Sequence, residues 1–431
     1  MRAMKDSGIK WIGEIPEEWE VCFIKQIMRN KSIKGFPDEE VLSLYRDYGI
    51  VPKNSRNDNH NVTSDDTSSY KLVDCDDFVI NKMKAWQGSM ALSKYRGIIS
   101  PAYYVCSFIK DNISKKYVHY LLRNESYKTE YLRLSTGLRV GQWDLNINDF
   151  LRIKMVLPPL SEQQRIATYL DTKCGEIEEL IGIQEKFIEE LKSYKQSVIT
   201  EAVTKGLNPN AKMKDSGVEW IGEIPEDWCL RNIKNLCSFI NGDRSANYPS
   251  AEEFTNEGIP FCGADSLNNI EVDLQNVRFI SEDKYNSMGG LKIQIGDILY
   301  TLRGSTIGKN AIANFDKGTV ASSLMGIRPK SIVDNLFLVF WLNSQHEIFQ
   351  RNLCINGSTA PNLSAANVGE FKIALPPLSE QHLIATYLDN KCSQIDSLIT
   401  LKQTKIDELK SFKKSLIYEY VTGKKTVPET V

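Results

Sequence analysis

The chain has 431 residues, 42% of them hydrophobic and 25% charged, and a formal net charge of −2. That length suits two or three globular domains, and the near-neutral balance excludes a simple polycation. No apolar run approaches the roughly 20 residues that cross a bilayer, and the opening MRAMKDSGIKWIGE lacks the apolar stretch of a secretion signal, so the expected location is the cytoplasm.

In chain order, a lead-in MKDSGIKWIGEIPEEW starts at Met4. A variable part follows, from about residue 20 to 156, and it holds the main positive excess: 21 Lys and Arg against 16 Asp and Glu over Trp19–Val156. Its DDFVINKM, AYYVCSFI and FLRIKMVL stretches predict strands, and KKYVHYLLRNESYKTEYL predicts a helix.

LPPLSEQ at 157–163 then opens a long helix. Pro158 and Pro159 cannot sit inside it, and Ser161 is placed to cap it. Apolar residues recur at heptad spacing from Leu170, Cys174, Ile177 and Ile181 through Ile188, Leu191 and Val198 to Ala202, with polar breaks at Gln184 and Lys195. Gly206 ends it.

The same order returns. MKDSGVEWIGEIPEDW starts at Met213, a second variable part spans about 229–374, and LPPLSEQ reappears at 375–381. GDILYTL, KNAIAN and EFKIALPPL predict strands, and NLFLVFWLNSQHEIFQRNL a helix. The second long helix repeats the seam from Leu388 to Tyr420, with Lys402 and Lys413 at the breaks and Gly423 at the end. The two variable parts do not align by eye. The expected domains are 1–156, 157–212, 213–374 and 375–431.

Connectivity restricts the arrangement. The first helix leaves one head and arrives at the other, so a second helix pairing with it runs antiparallel. The expected fold class is α+β: two mixed heads held apart by two long antiparallel coiled-coil helices, with pseudo-twofold symmetry. Each helix is expected to run about 40 residues, roughly 60 Å.

Motifs for chemistry are sparse. HExxH, GxSxG and CxxC are missing, and the nine cysteines are irregularly spaced, which favours reduced, mostly buried thiols. GSTIGKN at 304–310 imitates a phosphate loop but has three residues between its glycines and Asn310 in place of Ser/Thr, so it is read as strand–turn–strand. No catalytic, cofactor-binding or metal-binding residue is expected, and the chain is read as a binder.

The duplicated PPLSEQ…IATYLD…ELK…VT block, each copy following a WIGEIPE.W lead-in and a variable part, resembles the specificity subunit of type I restriction–modification systems along nearly the full length. The resemblance implies that each head is a target recognition domain reading one half of a split DNA sequence. It implies docking of two methyltransferase subunits on the helical spacer, joined by restriction subunits. S-adenosylmethionine, ATP and magnesium would belong to those partners. Half-sites one helical turn apart need readers roughly 34–36 Å apart.

The expected DNA contacts lie on polar loops. In the first head they are Lys53, Asn54 and Arg56; Lys82, Lys84 and Gln87; and Ser135, Thr136, Arg139 and Gln142. In the second they are Arg244, Ser245 and Asn247; Arg303, Ser305, Thr306 and Lys309; and Ser358, Thr359 and Asn362. Ser135 and Gly357 stand 22 and 18 residues before their PPL blocks, a parallel that suggests a shared role. Trp86 and Trp143 read as core more than as base wedges. The lead-in residues Trp11, Ile12, Ile15 and Trp19 have two readings, a staple onto the helices or part of a docking face. The alternative for the whole chain is a coiled-coil protein-interaction scaffold with two peptide- or protein-binding heads.

Overall fold

The computed structural model describes residues 2–46, 48–56, 63–64, 66–139, 142–355, 357 and 361–428, with only the backbone of Leu138, Arg139 and Gln142. It divides into two units, Met1–Glu185 with Thr404–Val431, and Lys186–Gln403.

Both long helices contribute to both units. The first runs Leu160–Lys205 and the second Leu378–Val421. The heptad positions named above are all buried or half-buried, while the faces opposite them are exposed. In the first unit Tyr169 meets Tyr420, with ring centroids 4.6 Å apart, and Lys413 pairs with Glu178. In the second unit Lys195 pairs with Asp396 at 2.6 Å, and the Lys402 ammonium lies 5.0 Å from the centre of the Phe187 ring. In each unit numbers rise along one helix as they fall along the other, so the pairing is antiparallel.

Two of the four polar breaks, Lys195 and Lys413, are thus lysines matched by an acid on the facing helix, while Lys402 lies over an aromatic ring. These pairs are half-exposed, so each is worth about 0–1 kcal/mol. Lys195→Met should therefore change stability by no more than about 1 kcal/mol in urea titration. A loss above about 3 kcal/mol would mean that the pair behaves as a buried ion bridge.

The helix start differs from expectation. Both Glu162 and Gln163 donate their backbone N–H to the Pro159 carbonyl, so Pro159 sits at the cap and Ser161 lies within the first turn. The repeated Glu and Gln have separate tasks. Glu162 accepts from the Trp19 indole at 3.0 Å, and Glu380 accepts from Trp228 at 3.0 Å. Gln163 bridges the Ser114 amide and the Pro158 carbonyl, as Gln381 bridges the Asp334 amide and the Pro376 carbonyl.

Each head carries the same four-stranded antiparallel sheet, a likeness invisible by eye in the sequence. Its order in the first unit is Met28–Lys31, Tyr103–Phe108, Phe78–Asn81, Met90–Leu92. In the second it is Cys237–Asn241, Leu324–Pro329, Ile298–Thr301, Asn310–Ile312. The single helix predicted in each head is two helices. Asn124 stops Lys115–Arg123 and caps Glu125–Leu134, and Ser344 caps Gln345–Cys354 after Asn335–Leu342. A side-chain oxygen bonding the next turn's amide interrupts a periodicity that otherwise reads as continuous.

Each head closes through a short ribbon. Lys154–Leu157 pairs with Glu20–Phe23, and Lys372–Leu375 pairs with Cys229–Asn232. Among the described residues no helix is long and apolar enough to cross a membrane.

Candidate nucleic-acid interface

In the second unit the three predicted loops converge. The turn after Ile298–Thr301 returns directly to Asn310–Ile312, so GSTIGKN is strand–turn–strand. Gly304 and Gly308 both have φ of +90, which only glycine adopts without strain. The tip, Arg303 to Thr306, is exposed, and Lys309 is half-buried. Arg303 pairs by backbone with Asn362 and donates Nε–H to its Oδ1 at 3.1 Å.

Arg244 reaches the same place from a different loop, its Nε 3.4 Å from the Ser322 carbonyl. Burial, and then the charge of Arg303, hold its guanidinium below its ordinary pKa. Two cations on separate loops therefore face one another. Among the described ion pairs neither has a carboxylate. Ser245 and Asn247 are already engaged: Asp243 accepts from the Ser245 amide, Ser245 Oγ accepts from the Asn247 amide, and Asn247 Nδ2 donates to the Ser287 carbonyl of a distant segment.

The Arg303 loop is buttressed from behind. Arg351 donates to the Ile307 carbonyl at 3.1 Å and to Glu347, which also accepts from the Tyr300 hydroxyl. Burial pushes the Glu347 carboxyl up to about 7, against the opposing pull of Arg351.

In the first unit two of the three loops meet. Lys82–Gln87 forms a short 3-10 turn capped by Asn81, at the position equivalent to the Arg303 loop, and Gly88 closes it at φ +78. The hairpin Ser135–Arg139 with Gln142–Leu145 folds against it. Trp86 and Trp143 join the two, with centroids 5.2 Å apart, and both are half-buried rather than deep core. Lys84 and Thr136 are exposed, Gln87 is half-buried, and Ser135 donates to the Tyr131 carbonyl.

The side chains of Arg139 and Gln142 lie outside the described residues, as do Ser358 and Thr359. The third loop stands on its own hairpin, Leu42–Tyr45 with Gly49–Pro52. There Lys53 bonds Thr63, Asn54 is exposed, Ser55 donates to Pro52, and Arg56 stacks 3.9 Å from the Tyr48 ring centre.

Sequence reasoning missed Ser322 and Ser323 beside Arg244 and Leu302, and Lys34 and Lys71 beside Lys82. No turn motif marks them; each arrives through strand pairing distant in sequence.

The lead-in is a staple. Ile12, Ile15 and Trp19 are buried, and Trp11 packs edge-on to Tyr127. The helices carry a second exposed pattern. Leu160, Leu180, Ile183 and Phe412 are exposed in the first unit, and their repeat equivalents Leu378, Leu398, Leu401 and Tyr194 are exposed in the second.

Comparisons with known proteins agree with this architecture. The family model described as "Type I restriction modification DNA specificity domain" matches residues 16–192 and again 225–411. The MjaVIII specificity subunit of Methanocaldococcus jannaschii is 28% identical, over 95% of this chain and 93% of its own length. The putative MjaX specificity subunit of the same organism is 27% identical over 96% and 95%. In fold, the chain is similar to one from a structure of the type I R-M system, with TM-score 0.71 and 16% identity over 94% of this chain and 98% of that one. It is also similar to the HsdS subunit of Thermoanaerobacter tengcongensis, with TM-score 0.50 and 16% identity over 95% and 98%. With the family model matching both repeats, the chain belongs to the type I restriction–modification DNA specificity family and carries two copies of that domain.

Proposed function

We propose that each head reads one half of a split DNA target, and that the chain supplies recognition while partner subunits supply catalysis. The observation that carries this reading is the equivalent end of the four-stranded sheet in the two units. Each ends in loops bearing cations that, among the described residues, lack an acidic partner: Lys82 and Lys84 in the first, Arg244 and Arg303 in the second. Converging guanidiniums suit a phosphate or the O6/N7 edge of guanine.

Two methyltransferase subunits dock on the helices, with restriction subunits joining that core. The matched exposed sets around Leu180 and Leu398 support two equivalent docking faces, because exposed apolar positions grouped on a helix surface mark contact sites. S-adenosylmethionine, ATP and magnesium bind to those partners.

The test is to express the chain with a methyltransferase subunit and map methylated positions genome-wide by long-read sequencing. A single two-part motif is expected. Arg303→Ala should weaken binding to a target duplex by about 1–3 kcal/mol and relax one position of one half. Absence of any methylated motif, together with no salt-sensitive retention on duplex DNA, would favour a protein-interaction scaffold.

A further inference from the structure

We propose that Lys34, Lys71 and Lys82 form an anion site in the first unit that takes a backbone phosphate of the bound DNA. It rests on the DNA-reading proposal above and adds a contact outside the predicted loops.

Lys71 lies in the strand Lys71–Val73 and is only 7% exposed. Its ammonium donates to the Tyr103 carbonyl at 2.6 Å and sits 5.4 Å from the centre of the Tyr104 ring. Lys82 places a second ammonium 4.8 Å from the same ring. The backbone bond from Leu72 N–H to the Ile33 carbonyl, at 2.8 Å, brings Lys34 alongside. Two cations thus gather at one aromatic ring, and Lys34, from a third segment, is close enough for its charge to act on Lys71.

Lys31 is the instructive contrast. It is also largely buried, and it is answered by two carboxylates, Asp74 at 2.5 Å and Asp77 at 2.6 Å. Among the described ion pairs no acid meets Lys34, Lys71 or Lys82. A buried ammonium without a counter-charge is costly. Here burial, and then the charges of Lys82 and Lys34, pull Lys71 down to about 8. An anion entering the cluster offsets that cost. Three ammoniums that, among the described ion pairs, have no carboxylate suit a phosphate rather than a base edge, which needs donors and acceptors in a plane. The site adjoins the Trp86–Trp143 junction through Lys82.

The experiment uses the full chain assembled with methyltransferase subunits and a duplex bearing its target, with affinity measured against salt. Lys71→Met keeps the side-chain bulk and removes the charge; Lys34→Gln is the second variant. Each should lower the slope of log affinity on log salt by about 1 and leave the methylated motif unchanged.

A pH series adds a second readout. Phosphate holds the proton on Lys71, so wild-type affinity is flat below pH 8 and falls as pH rises beyond it; Lys71→Met loses that fall. The other groups near Lys71 are Lys34, Lys82, Tyr103, Tyr104 and Cys106, with Asp144 near the Tyr104 hydroxyl. Burial raises both tyrosines, and Cys106 to about 12, so these stay neutral across the range.

An unchanged slope in Lys71→Met, or a motif altered at one base, would overturn the phosphate site while leaving the DNA-reading proposal standing. A wild-type complex with no salt-dependent, target-specific binding would overturn both.

Discussion

Trp19→Ala should destabilise the first unit by about 3–5 kcal/mol, the range for truncating a fully buried tryptophan. Trp19 is 0% exposed and sits where four distant segments meet. Its indole N–H donates to Glu162, and the same carboxylate takes a two-point contact from Arg2 at 2.6 and 2.7 Å. The Arg2 guanidinium lies 5.8 Å from the Trp19 ring centre, Tyr117 packs edge-on, and Gly423 presses against the far side. Glu162 holds the Arg2 pKa above its ordinary value. Gly423 is left-handed, at φ +74, and a Cβ there would run into Pro16. Truncation removes apolar contact on every side and leaves a cavity that backbone on this many elements cannot close. Trp228→Ala should cost the same in the second unit, where Glu380 and Gly206 play the matching parts. Urea titration of the purified chain checks it; a loss under about 1 kcal/mol would mean the staple is dispensable.

Replacing residues 20–156 with the corresponding segment of another specificity chain should change one half of the methylated motif completely and leave the other half untouched. The geometry of the exchange favours it. Glu20 and Leu157 are register partners in one ribbon, so the segment enters and leaves its head at adjacent points. Cys229 and Leu375 give the second head the same doorway. Each head also has its own main apolar cluster, one around Phe78 and Tyr117, the other around Phe337 and Trp341. Methylome sequencing reads the outcome, and a motif changed in both halves would contradict independent heads.

The helical part was legible because its signals are local and repeated. Paired prolines, a sustained heptad and a terminal glycine each act within a few residues of where they stand. The heads were harder. Their strands are two to six residues long, and Phe78–Asn81 and Ile298–Thr301 are buried on both faces, so no alternation shows. What the heads share is strand order and a glycine turn at Gly88 and Gly308, not side chains. The Arg303 loop could be named from its glycines and polar residues. Lys71 could not, since it stands in a KLV strand and its isolation from acids is a tertiary fact.

The division of the chain has a consequence for its synthesis. The second unit is one unbroken stretch, Lys186–Gln403, and has everything it needs once that stretch leaves the ribosome. The first unit began earlier yet waits for Thr404–Val431, because Trp19 rests on Gly423 and Tyr117 reaches the Val421 carbonyl. The later-made half therefore matures first, and any message cut short near its end yields a product with its opening half unfinished, exposed to proteases before it can reach a partner.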